Sequence, residues 1–279
     1  NPLIMDDYRK VLDELKPDFA VVNTHFHLQA EVTAEVLGRN IHAFTEKPVA
    51  TTMKDLEALE EAHKASDGEL IAMLGIRYEP CFYTAWKKVK SGAIGDVRML
   101  HAQKSYRLGS REDLYKKRST YGGTIPWVGI HAIDWIQWFG GDGFLSVDAR
   151  HSVKYNNGHG ELETSAAAMF TMEDGVFATV NIDYLRPENA ASHGDDRIRA
   201  AGTKGVIEVR GDNAYLINDE AQGEQILPLE SPGNIFESFV NSISGDGECL
   251  LSAEQSFRAT RLGLLARQSA DEERPLPIE

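Results

Sequence analysis

Two residues in this sequence occupy positions from which a side chain could do chemistry. Lys47 stands between a glutamate and a proline in FTEKPVATTMKD, directly after a short apolar run. His131 stands in GIHAIDW, inside an otherwise apolar segment. A lysine cation stabilises negative charge developing on an oxygen. A histidine, with an unperturbed pKa of ~6.5, exchanges protons near neutral pH. Each also has a plainer reading: Lys47 as a solvated lysine at a strand end, His131 as a satisfied core residue. Asp134, three residues after His131, can share its helix face, and either orients the imidazole or makes a structural hydrogen bond. His25 and His27 would lie on one face of an extended segment, but no third ligand stands nearby, so no metal site is expected.

The elements that must position these residues fall into two parts. In the first, DDYRKVLDELKP places Tyr8, Val11, Leu12 and Leu15 on one helical face and stops at Pro17. DFAVVNT reads as a short strand buried on both faces. LQAEVTAEVLGRN is a helix with Asn40 as a left-handed cap, and IHAFT is the next strand. Thr52 to Asp55 resembles a capping box opening a helix with Leu56, Leu59 and His63 in phase, and ELIAMLGI follows as a strand. Strand, helix, strand, helix, strand implies a parallel sheet. Ligands of such sheets bind beyond the carboxyl ends of the strands, where IHAFT delivers Lys47.

After Arg77 the pattern changes. A helix, FYTAWKKVKSG, leads into VRMLHAQKSYR, where Val97, Met99, His101, Gln103 and Ser105 alternate with Arg98, Leu100, Ala102 and Lys104. VGIHAIDWIQWF is helical, and a run of short strands separated by tight turns then predicts an antiparallel sheet. Ser252 with Gln255 forms a capping box before SFRATRLGLLARQSA. The expected fold class is thus a parallel α/β domain over 1–76, followed by an α+β domain over 77–279. That second domain is an antiparallel β-sheet with helices on one face, and helix 252–270 packs back on the first domain.

Composition narrows the partners. The 279 residues are 42% hydrophobic and 26% charged, which is ordinary for a globular chain. A net charge of −14 repels phosphate backbones and argues against nucleic acid. No apolar run is long enough to span a membrane. Cys81 and Cys249 form no framework, as expected of reduced thiols in a cytoplasmic protein.

HAFTEKPVATT, GIRYEP, SGAIGDV, GGTIPWVGIHAIDW and AAGTKGVIEV occur in this order, and the last helix runs into RQSADEERPLPI. Together these segments resemble the glucose–fructose oxidoreductase / inositol dehydrogenase / rhizopine-catabolism (Gfo/Idh/MocA) family of NAD(P)-dependent dehydrogenases, over essentially the whole chain. The resemblance implies NAD or NADP as cofactor and a sugar, polyol or related small molecule as substrate, interconverted between secondary alcohol and ketone. It implies that Lys47 polarises the reacting oxygen and that His131 is the acid/base. On the cofactor side it points to Thr24, His25, Glu46, Lys47, Pro48 and Arg77. On the substrate side it points to Tyr106, Arg107, Trp127, His131 and Tyr184, drawn from a wider set near sheet edges that includes Tyr121, Arg186 and His193. A homo-oligomer through the β-sheet is also expected, since SAAAMFTM and FATVNIDYL carry small and apolar side chains on both faces.

The sequence departs from the family pattern in three places. None of its 24 glycines forms the G-x-G-x-x-G phosphate loop in the right context. With the Rossmann domain that the resemblance implies, the expectation is a truncated Rossmann-like domain over 1–76, in a chain that begins inside it with roughly 60 residues missing at ~30 per strand–helix unit. Trp127 occupies the position four before His131, where the family usually carries Asp or Asn; its N–H can donate but cannot accept a proton. In the fourth-strand loop, His25 and Phe26 replace the usual Pro-Asn. The basic loop REDLYKKRS reads as a solvated face. Two alternatives stand beside the dehydrogenase: a member holding NAD tightly for elimination or glycoside cleavage, and a non-catalytic binding or assembly protein.

Overall fold

The computed structural model describes residues 3–279. Its first layer is a three-stranded parallel sheet of β1 (Phe19–Val22), β2 (His42–Thr45) and β3 (Leu70–Ala72), in that order. Helices α1 (Tyr8–Leu15), α2 (Gln29–Leu37) and α3 (Met53–Lys64) connect or flank the strands. Local sequence signals fix their ends. Asn40 closes α2 with φ 55°, and the Thr52 hydroxyl accepts from the Asp55 amide at 3.1 Å to open α3.

Among the described residues β1 pairs with β2 along one edge, and Val21 is 52% exposed.

The second layer is a nine-stranded sheet. Its long strands are β4 (Val97–Tyr106), β5 (Phe144–Ser152), β6 (Ser165–Met172), β7 (Phe177–Asp183), β8 (Gly194–Gly202), β9 (Gly205–Arg210) and β10 (Asn213–Asn218). Two-residue strands β11 (Gln225–Ile226) and β12 (Leu276–Pro277) close the edges, in the order β11-β10-β9-β8-β4-β7-β6-β5-β12. The sheet is mostly antiparallel, as the turn signals predict, but β4 and β7 run parallel. No local signal sets that pairing, because the two strands are joined through a helix and a hairpin.

One face of this sheet carries α4 (Pro80–Lys90) and α6 (Ile130–Gly140), with Leu100, Ala102, Phe170, Val180 and Ile198 buried against them. On the other face Met99, Met169 and Phe177 are about half exposed. A short helix α5 (Arg118–Tyr121) precedes α6, and α7 (Ile235–Ile243) covers β2.

Helix α8 (Ala253–Glu272) fastens the two layers. It opens on the expected capping box between Ser252 and Gln255. Near its start the Ser256 hydroxyl accepts from the Ala72 amide of β3 at 3.0 Å, and Arg261 pairs with Glu60 of α3 at 2.6 Å. Near its end the Ser269 hydroxyl accepts from the Ala149 amide of β5 at 3.0 Å. One rigid helix therefore sets the position of the small sheet against the large one, and with it the crevice between them.

Candidate active site

A cleft of about 660 Å³ opens at the carboxyl ends of β1 and β2; Thr24, His25, Glu46, Lys47, Tyr115 and Trp127 are among the residues on its wall. β2 ends at Thr45, and the Glu46 amide still donates to the Val22 carbonyl at 2.9 Å, so the sheet holds the backbone up to the lysine. Pro48 is buried behind it. The Lys47 ammonium donates to the Trp127 carbonyl at 2.9 Å and lies 3.7 Å from the Glu46 carboxylate. Its side chain is only 13% exposed. Burial is the main reason its pKa falls to about 8; Glu46 opposes the fall and Lys104 adds to it. The same burial raises the Glu46 carboxyl, against the pull of Lys47.

His131 reaches the site from the first turn of α6. The approach is unusual: residues Ile125–Gly129 form a π-helical turn that runs directly into α6. Such turns occur most often at functional sites. Two glycines in left-handed conformation, Gly122 at φ 87° and Gly123 at φ 103°, let the chain enter it, and a side chain is disfavoured at both. Buried Glu163 fastens the entry: its carboxylate accepts from the Thr124 amide at 3.0 Å and also binds Tyr121 and Arg118.

The imidazole of His131 has a buried Nδ1 with no hydrogen-bond partner. Burial, then Lys47, then Lys104 push its pKa well below the ordinary histidine value. It is therefore neutral, and competent as a base, across the physiological range.

Asp134 does not serve His131. Its carboxylate takes Arg77 through both Nε, at 3.0 Å, and Nη2, at 2.6 Å, and both side chains are almost wholly buried. Arg77 Nη1 donates to the Leu250 carbonyl and to Gln255, each at 2.7 Å. Every nitrogen of this arginine is thus spent inside the protein. The expectation of Arg77 as a cofactor-binding residue is corrected on this point: it ties α6 to the segment that opens α8.

Of the other cofactor-side residues, Thr24 and His25 line the cleft; His25 stacks on His27 at 6.1 Å along an exposed turn. On the substrate side, Tyr184 is 3% exposed with an unpartnered hydroxyl, and it lies 6.3 Å from Trp127 and 6.5 Å from Tyr106. Burial raises the phenols of Tyr106 and Tyr184 above the ordinary value. Trp127 also packs on Tyr115 and Phe26, with ring centroids 4.5 and 5.7 Å apart. Arg107 is adjacent to the site, with a buried, unpartnered Nε and Nη2 bound to the Ala190 carbonyl. Tyr121 is spent on Glu163, Arg186 pairs with Asp195 at 3.4 Å, and His193 stacks on Tyr106 at 5.2 Å.

Two site residues lie outside the expected set. Lys104 is 1% exposed, paired with Asp196, and its ammonium sits 4.8 Å from the Tyr106 ring. A signal for it exists, since Lys104 is in phase with Leu100 and Ala102 on the buried face of β4. Arg111 belongs to the loop expected to be a solvated face. That reading holds for Lys116, which pairs with Asp113 in solvent, but not for Arg111. Its guanidinium turns inward, 5.8 Å from the Trp127 ring and 5.2 Å from that of Tyr184. No local pattern distinguishes one basic loop residue from another; the aromatic surface it finds is assembled from distant segments.

Comparison with known proteins decides the family. A family description, "Oxidoreductase family, NAD-binding Rossmann fold", matches residues 2–73, and "GFO/IDH/MocA C-terminal domain" matches 82–208. A solved oxidoreductase structure from Thermotoga maritima is 49% identical, with a TM-score of 0.94 over 98% of this chain and 83% of that one. The chain belongs to the Gfo/Idh/MocA family of oxidoreductases.

Within this family, Myo-inositol 2-dehydrogenase of Thermotoga maritima is 23% identical over 98% of this chain and 83% of its own length. Glycosyl hydrolase family 109 protein 2 of Akkermansia muciniphila is 28% identical over 36% of this chain; the match spans 21% of that protein. The residues present fit the nicotinamide end of a Gfo/Idh/MocA cofactor. A cleft lies at the carboxyl ends of parallel strands with a partly desolvated lysine on its wall, and the charge of that lysine acts on the buried imidazole of His131, whose Nδ1 has no partner. Among the described residues, no helix is long and apolar enough to cross a membrane.

Proposed function

We propose that the protein interconverts a secondary alcohol and a ketone on a sugar, polyol or related small molecule, with Lys47 and His131 acting on the reacting oxygen. The observation that carries this reading is geometric: the Lys47 ammonium donates to the Trp127 carbonyl at 2.9 Å, in the turn that runs directly into the helix carrying His131, and after burial its charge helps to hold that imidazole below its ordinary pKa. NAD(P), when bound, supplies the acceptor for the hydride that leaves the oxidised carbon. His131, neutral at physiological pH, takes the hydroxyl proton at its imidazole. Lys47, still largely protonated at neutral pH, stabilises the developing alkoxide in a site where water screens little. Thr24, His25, Glu46 and Pro48 shape the nicotinamide side of the cleft. Trp127, Tyr106 and Tyr184 offer aromatic faces to the carbon skeleton, and Arg107 lies at the margin.

The relative named Myo-inositol 2-dehydrogenase supports a polyol or sugar as substrate. The test is NAD(P)H formation by the purified protein over a panel of polyols and aldoses, compared with Lys47→Met and His131→Asn. Turnover retained near the wild-type level by both variants would overturn the assignment.

A second reading is favoured by the match to Glycosyl hydrolase family 109 protein 2. In it, NAD stays bound, and oxidation followed by elimination cleaves a glycoside without net cofactor turnover. Release of an aryl alcohol from an aryl glycoside, with no accumulation of NADH, would select it. The exposed face of the large sheet, with Met99, Met169 and Phe177, supports assembly of the protein as a homo-oligomer through that face.

A further inference from the structure

Arg111 is a cation beside this cleft, over the rings of Trp127 and Tyr184, that no carboxylate holds among the described residues. Lys47 has Glu46 at 3.7 Å and Lys104 is paired with Asp196, but Arg111 makes no ion pair among the described residues. Its one hydrogen bond runs from Nη2 to the Arg107 carbonyl at 3.4 Å, and its Nε is buried without a partner. The Tyr184 hydroxyl beside it is also buried and unpartnered. Leaving buried donors unmet is costly, so two of them side by side at the edge of one cleft point to a ligand that completes them.

The charge indicates what that ligand is. The chain carries a net −14, and Glu46 and Glu112 stand on the cleft wall, yet the ring cluster around Trp127 has two cations within 6 Å of the indole, Lys47 at 5.7 Å and Arg111 at 5.8 Å, and of these only Lys47 has a carboxylate paired with it. A neutral polyol needs only neutral donors. With Nε unmet and Nη2 held only by a long 3.4 Å bond, the guanidinium can offer two nitrogens to the two oxygens of a planar carboxylate, a pairing stronger than one to a hydroxyl. We propose that the substrate is a carbohydrate acid whose carboxylate is bound by Arg111, with a further hydrogen bond from the Tyr184 hydroxyl. Trp127 then lies against the carbon skeleton, and the alcohol to be oxidised reaches Lys47 and His131. The proposal rests on the reading of this cleft as a sugar or polyol site and narrows its substrate to acids.

The test is calorimetric titration of the purified chain, with and without saturating NADH. The probes are D-gluconate and D-glucuronate, their neutral counterparts D-glucitol and D-glucose, and D-glucose 6-phosphate. We expect at least one acid to bind roughly 10–100-fold more tightly than its neutral counterpart at low salt. Arg111→Gln should remove that ratio, weakening the acid far more than its neutral counterpart. Arg111→Lys, which keeps the charge but not the fork, should retain only part of it and serves if the Gln variant does not fold. Equal binding of acid and neutral compound, a ratio that survives Arg111→Gln, tightest binding by the phosphate ester, or no binding of either acid would each overturn the proposal. The outcome separates from that of the parent reading. Arg111-dependent acid binding without NAD(P)-linked oxidation would remove the dehydrogenase and keep the acid site. Oxidation of neutral polyols alone, indifferent to Arg111→Gln, would do the reverse.

Discussion

The Lys47 ammonium is held by the Trp127 carbonyl at 2.9 Å, a main-chain oxygen in the π-turn that launches the His131 helix. The same contact that positions the lysine thus ties it to the element carrying the histidine. It also keeps the lysine out of water, and burial is what brings its pKa to about 8.

Lys47→Met should lower kcat by about 10²–10³, the usual cost of one lost electrostatic contact to a developing oxyanion. The fold should become more stable at neutral pH by about 1–3 kcal/mol, since a pKa unit corresponds to ~1.4 kcal/mol. The sign follows from proton counting. Below pH 8 the native and unfolded chains both keep the proton, and the full cost of burying the charge is present. Between about pH 8 and 10.5 the unfolded chain keeps a proton that the native chain has released, so wild-type stability rises with pH and the advantage of Met shrinks. Urea denaturation of both proteins at pH 7 and pH 10 measures this. A destabilised Met variant at pH 7 would contradict it.

The pH–rate profile should lack a limb at the ordinary histidine value. His131 stays neutral well below ~6.5, because burial and then two lysines oppose its protonation. Asp134 cannot restore the limb, being committed to Arg77. The alkaline limb of kcat/KM should instead fall near pH 8, where Lys47 loses its charge. His131→Asn should cost about 10²–10⁴ in kcat and flatten the fall in stability below pH 6.5, where the unfolded chain takes up a proton that the native histidine refuses. An acid limb centred at pH 6.5 in the wild-type protein would rule out this picture of the site.

Asp134→Asn should destabilise the protein by about 3–5 kcal/mol, because it leaves the Arg77 charge buried and unpaired. The protein that remains folded should turn over at close to the wild-type kcat, since neither residue touches the cleft. Active-site titration combined with chemical denaturation separates the two effects. A variant of normal stability with a lost kcat would place Asp134 in the chemistry after all.

What was legible in the sequence, and what was not, divides by range. The caps at Asn40, Thr52 and Ser252 depend on neighbours within a few residues, and the structure has each of them. The arrival of Lys47 at a strand end follows from a short apolar run and the rule for parallel sheets, again local information. The partner of Arg77 lies 57 residues away, and no periodicity reports it. The parallel pairing of β4 with β7 and the inward turn of Arg111 are likewise products of assembly. Lys104 is the instructive case between these limits: its phase with Leu100 and Ala102 is local, and it places a charge on the buried face of β4.

The last prediction concerns the open face of the large sheet. On β4 and β7, Met99 stands directly opposite Phe177 in the parallel register, and one row along Met169 of β6 stands opposite Thr179. Met99, Met169 and Phe177 are 51, 47 and 47% exposed, while the side chains alternating with them are buried under α4 and α6. A sheet covered by helices on one side only must leave the other face to water or to a partner, and three large apolar side chains on adjoining strands favour a partner. A second copy offers the same rows and can align them about a two-fold axis, the commonest symmetry for such contacts. Light scattering should therefore give a mass above the 30.9 kDa of one chain. Met169→Glu together with Phe177→Glu should shift the protein to monomer, because each copy would then carry two desolvated carboxylates into the contact. These positions are exposed in the single chain, so the monomeric variant should keep its secondary structure and unfold cooperatively. A wild-type monomer at all concentrations, or an oligomer indifferent to both glutamates, would show that this face is not the contact.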